Sequence, residues 1–77
     1  MTEGAMPYLS PARVTVLGVH PGDPPFRIVE IDGQLAGTAT SMTDVVLTAA
    51  AAGITIHDLD DPGEIRWVGG GRYHWAG

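Results

Sequence analysis

The chain is predicted to fold as a single α+β domain, a small and mostly antiparallel sheet with one helix packed on one face. Three observations predict it. Runs rich in β-branched residues recur between clusters of Gly, Pro and Asp; an Asp-Gly pair sits between two such runs; and one stretch carries apolar residues at helical spacing. The order they imply is β-β-β-α-β-β, with room for a short sixth strand at the end.

Residues 1–11 carry Gly4, Pro7 and Pro11 with little periodicity and read as a flexible N-terminal arm, leaving 12–77 as the domain. Arg13 to His20 (Arg-Val-Thr-Val-Leu-Gly-Val-His) reads as the first strand. His20 to Pro25 is a loop, because three prolines in five residues cannot supply ladder N–H groups. Phe26 to Ile31 is the second strand. Asp32-Gly33 then marks a tight hairpin, so Gln34 to Thr40 should return beside it as the third.

Ser41 is placed to cap a helix, with Asp44 three residues on, near the positive end of the helix dipole. Met42, Val45, Val46, Ala49 and Ala50 follow the i, i+3, i+4, i+7, i+8 pattern and define one apolar face. Gly53 sits where a left-handed residue would end the helix. Ile54 to Leu59 alternates and reads as a fourth strand, Asp60-Asp61-Pro62-Gly63 as a turn, and Glu64 to Val68 as a fifth strand. Gly69-Gly70-Gly71 permits a reversal, from which Arg72 to Trp75 would pair back as the short sixth.

Composition bounds the function. Seventy-seven residues allow one domain with a marginal core, and the absence of cysteine excludes disulfides and thiolate metal sites. A chain with 44% hydrophobic and 17% charged residues does not have the composition of a disordered one. The first residues carry neither a basic nor an apolar leader region, and no apolar run approaches the ~18 residues of a membrane span, so the expected location is the cytoplasm. A net charge of −5 argues against a general polyanion binder. All nine acidic residues lie between Glu3 and Glu64, whereas residues 65–77 hold Arg66, Arg72, His74, Tyr73 and both tryptophans. Lysine is absent, and the all-arginine usage alongside abundant Ala and Gly reads as a codon bias.

Motifs for chemistry are lacking. In the acidic stretch His57 to Glu64, a calcium loop starting at Asp58 would place Pro62 at its fifth position and Gly69 where a bidentate Glu belongs. His20, His57 and His74 fall on different predicted elements, without metal-ligand spacing. Ser10 lies in the arm, Ser41 is a cap, and no Gly-x-Ser-x-Gly elbow is present. The glycine triplet does not lead into a helix, so it is no phosphate cradle. A helix-turn-helix reading of Ala49 to Gly53 fails, because a strand pattern and three aspartates follow it. No catalytic, cofactor-binding or metal-ligating residue is therefore assigned, and no cofactor is expected.

Two features remain. The second face of the helix, Thr43, Leu47, Thr48 and Ala51, has only Asp44 as a charge nearby, where a solvated face usually carries several. Leu47 and Ala51 would leave an apolar stripe for another copy or a partner. The C-terminal hairpin offers Arg66, Arg72, Tyr73, His74 and Trp75, with Trp67 expected in the core and Trp75 at an interface. The expectation is a small non-catalytic protein–protein interaction or regulatory module, homo-oligomeric or bound to another protein. The alternative is a nucleic-acid-binding accessory protein that uses those same Arg and aromatic residues.

Overall fold

A computed structural model of the chain describes residues 12–76. It comprises β1 (Val14–His20), β2 (Phe26–Ile31), β3 (Gln34–Ala39), α1 (Met42–Ala51) and β4 (Ile65–Trp67). The strands form one sheet in the order β3-β2-β1-β4. Both β1–β2 and β2–β3 are antiparallel, and β4 pairs with β1 in parallel. The α+β class therefore holds, with four strands among the described residues rather than five or six. The arm assigned to residues 1–11 lies outside the described residues.

Local chemistry explains the regular elements. Asp32 and Gly33 take φ of 53° and 80°, the positive values that a two-residue hairpin between right-twisted strands requires. The turn is further tied by Asp32 N–H donating to the Arg13 carbonyl at 2.8 Å. Ser41 caps α1, its hydroxyl accepting from Asp44 N–H at 3.4 Å, while the Asp44 carboxylate accepts from both N–H and Oγ1 of Thr40 at 2.9 Å. These bonds hold the Asp44 carboxyl below its ordinary pKa. At the other end Gly53, at φ 82°, lets its own N–H and that of Ile54 fold back onto the carbonyls of Ala50 and Ala49.

The core lies between α1 and one sheet face. Val14 and Val16 of β1, Val29 of β2, Ala39 of β3, Val45 and Ala49 of α1 and Ile65 of β4 are all buried. Ile31, Ile54, Ile56, Leu59, Trp67 and Trp75 pack around them.

Two predicted strands are corrected. Residues 54–59 form no ladder, although Ile54 and Ile56 turn inward while Thr55 and His57 are exposed. Alternation reports burial of every second side chain, and here the free edge of β1 is taken by β4 instead. The predicted fifth strand, Glu64 to Val68, is present as the shorter β4 and pairs in parallel with β1. Residues 72–75 are not a strand either: they coil around the guanidinium of Arg27. The turn at Asp60 to Gly63 is present, with Asp61 Oδ1 accepting from Gly63 N–H at 2.8 Å and Asp58 Oδ1 from Asp60 N–H at 2.9 Å. Among the described residues no helix is long and apolar enough to cross a membrane.

Candidate functional site

The C-terminal segment is organised by one buried cation. Arg27 is fully buried on the core side of β2, in line with Val29. A guanidinium carries five N–H donors in a rigid fork. All five are used on main-chain carbonyls: Nε to Leu17 at 2.7 Å, Nη1 to Gly71 and His74 at 2.8 Å, and Nη2 to Val68 at 3.1 Å and Gly70 at 2.8 Å. Trp67 and Trp75 lie against the guanidinium, whose carbon is 5.1 and 5.4 Å from their ring centres. Burial without a carboxylate partner lowers the Arg27 pKa, but an arginine starts so far above neutrality that the charge persists.

The glycine triplet makes the cage possible. Gly69 and Gly70 take φ of 76° and 138°, a course along which the carbonyls of Val68, Gly70 and Gly71 all meet Arg27. A Cβ on Gly70 would lie 2.7 Å from the His74 ring, and one on Gly69 would lie 3.2 Å from the Gly18 Cα. The triplet thus serves Arg27 and not a tight reversal between paired strands.

The residues predicted as an interaction site are not brought to one place. Leu47 is 61% exposed and Ala51 is exposed, both on the outer side of α1. Tyr73 is 74% exposed, with the Arg72 guanidinium 4.8 Å from its ring centre. Arg72 Nε lies 3.2 Å from Asp60 Oδ1, at ion-pair distance but without hydrogen-bond alignment. His74 has an exposed side chain and a carbonyl committed to Arg27. Trp75 is half-buried, meets Trp67 edge to face at 6.1 Å and donates its indole N–H to the Arg72 carbonyl at 2.6 Å. Trp67, expected in the core, packs against it and donates to the Leu59 carbonyl at 2.9 Å. The histidines stay apart: His20 stacks on Phe26, and His57 contacts Glu64, whose carboxylate accepts the His57 backbone N–H at 2.6 Å.

Arg66, by contrast, belongs to the second face of the sheet, which α1 leaves bare. Cα partners on adjacent strands project to the same side. Glu30 pairs with Thr15, Thr15 with Arg66, and Glu30 with Leu35, so Leu35, Glu30, Thr15 and Arg66 form one row across all four strands. The neighbouring row, Val29, Val16 and Trp67, points into the core. Beside the exposed row lies a shallow concavity of about 540 Å³ whose lining includes Thr15, Leu17, Glu30, Arg66 and Val68. At its lip Arg13 and Asp32 form a bidentate pair, Nε–Oδ1 3.0 Å and Nη2–Oδ2 2.9 Å, which raises the Arg13 pKa and lowers that of Asp32. Glu30 and Arg66 pair with no side chain among the described residues. Leu35 stands 72% exposed at the end of the row.

Arg27, Thr15 and Glu30 were not singled out by sequence reasoning. The signal for Arg27 was its phase: in Phe26-Arg-Ile-Val-Glu-Ile31 it alternates with Val29 and Ile31, an inward position for a cation. The signal for Glu30 was the complementary phase on the same strand. No protein-family model, curated protein or solved structure matches this chain.

Proposed function

We propose that this chain is a non-catalytic interaction module, acting in the cytoplasm, that binds another protein chain with the sheet face that no element among the described residues covers. The observation that carries this reading is the asymmetry of the sheet. One face is covered by α1 and by the segment clasped on Arg27, while the other carries Leu17, Leu35 and Val68 beside the oppositely charged Glu30 and Arg66. Antiparallel sheets often keep one face wet, but such a face is usually polar throughout. Apolar residues set among separated charges are the composition of a docking surface. The outer side of α1 offers less, since Leu47 is its only large apolar side chain among the small residues Thr43, Ala50 and Ala51. The C-terminal aromatics favour this reading over nucleic-acid stacking, because Trp75 is engaged with Trp67 and Arg27.

Site-specific photo-cross-linking tests the reading. A photoreactive residue replacing Thr15 should give intermolecular protein adducts in cells, and the same group replacing Thr43 should not. Adducts from position 43 and none from 15 would move the interface to the helix and contradict the proposal.

A further inference from the structure

We infer that the occupant of the open sheet face is a second copy of this chain, packed face to face about a two-fold axis that runs along β1. The inference rests on the reading of that face as a protein-binding surface and adds its partner and geometry.

The charges along the row follow a fixed order. Thr15 on β1 stands between Glu30 on β2 and Arg66 on β4, each one strand away. Strands lie about 4.8 Å apart, so the acidic and basic positions flank Thr15 symmetrically, roughly 10 Å from one another. Two identical sheets stacked face to face are related by an axis in the plane between them. An axis along β1 exchanges the two flanks. It sets Glu30 of each copy over Arg66 of the other, with Thr15 over Thr15 and Leu17 over Leu17. An axis across the strands would instead place Glu30 over Glu30 and Arg66 over Arg66. Like charges brought together in a closed interface are costly, so the charge order selects the first arrangement and rejects the second. The Arg13 pair with Asp32 neutralises the one cation that would meet its own copy near the axis. Aligned strands are also one of the two preferred ways for sheets to stack, at a separation of about 10 Å that Arg and Glu side chains from opposite sheets can bridge.

Area sets the strength. An axis along β1 overlaps only β2, β1 and the three-residue β4 with their counterparts, a patch of at most roughly 15 × 20 Å in projection. That is below the roughly 800 Å² per partner of a standard interface, so the dimer is weak and exchanges with monomer.

Sedimentation equilibrium on the purified full chain, over about 10 μM to 1 mM, decides the question when run on charge-reversal variants. The wild type should move from 8.1 kDa toward twice that mass. Arg66→Glu alone and Glu30→Arg alone should each weaken self-association at least about tenfold. Mixing those two single variants should give a heterodimer, and combining both substitutions in one chain should restore the homodimer to within about threefold of wild type. Circular dichroism confirms that each variant is folded, and the restored double variant makes the result independent of any loss of fold in the singles. A monomeric wild type overturns the inference, as does self-association that the single reversals leave unchanged. If the wild type is monomeric while position 15 still cross-links to a different protein in cells, the face serves a foreign partner. The dimer is then wrong and the interaction reading stands. A monomer whose position 15 cross-links within its own chain, to residues 1–11, contradicts both.

Discussion

Trp67 and Trp75 meet edge to face, ring centres 6.1 Å apart at 88°, and the Arg27 guanidinium lies against both rings. This three-residue contact ties the C-terminal segment to β2, from more than forty residues away in sequence. It also explains how a short chain without cysteine fixes its last residues: a single side chain satisfies five carbonyls that would otherwise need water or a ladder.

Arg27 should therefore be the most sensitive polar position in the domain. Arg27→Leu removes the guanidinium and strands five carbonyls, and losing one side of a buried charge network typically costs about 3–5 kcal/mol. A 77-residue domain has roughly 4–11 kcal/mol in total. Arg27→Lys keeps the charge but has three donors for five acceptors and lacks the rigid planar fork, so it should also destabilise, by at least about 2 kcal/mol. Urea unfolding followed by circular dichroism measures both. An Arg27→Lys variant as stable as wild type would show that the cage does not form in solution.

The two tryptophans should differ in degree. Trp67 lies on β4 opposite Val16 and bonds to the Leu59 carbonyl, so Trp67→Ala removes core contacts and should cost about 3 kcal/mol or more. Trp75→Ala removes one of the two rings packed against Arg27 and should release residues 69–76 while the sheet survives. The expected reading is a smaller loss of thermal stability with new protease cleavage after residue 68. Unchanged proteolysis in Trp75→Ala would contradict the clasp.

Acid should weaken the domain through its depressed carboxylates. Asp44 is lowered chiefly by the Thr40 backbone N–H and then by the Thr40 hydroxyl, and Asp32 chiefly by its hydrogen bond from Arg13. A carboxyl whose pKa is lower in the folded than in the unfolded chain binds fewer protons when folded. Its contribution is fully present above the ordinary value of about 3.9 and is lost as pH falls below it. Melting temperatures should thus decline below about pH 4. Asp44→Asn should lower stability at neutral pH and flatten that decline. An acid limb that is as steep in Asp44→Asn as in wild type would remove Asp44 from the account.

What was legible in the sequence was what local chemistry decides. The Asp32-Gly33 hairpin, the Ser41 cap, the left-handed Gly53 and the bounds of β2 all depend on residues within one turn of each other. The errors arose where a distant partner decides. Ile54 and Ile56 alternate as in a strand, but whether an alternating segment joins a ladder depends on a free edge, and β4 holds it. The triplet at 69–71 reads as a hinge until Arg27 is placed inside it, more than forty residues away in sequence. Arginine usage read as codon bias hid the one arginine that the fold requires. The row from Leu35 to Arg66 exists only once the register is known, because no two of its members are close in the chain except Glu30 and Leu35.

The most direct test of the central claim is a dilution series of ¹⁵N-labelled protein, following each backbone amide between high and low concentration. Contact through the open sheet face predicts that the largest concentration-dependent shifts fall on Thr15, Leu17, Glu30 and Arg66, with Val45 and Ala49 unmoved. Shifts concentrated at Leu47 and Ala51 on the outer side of α1, or at Tyr73 and His74, would contradict it.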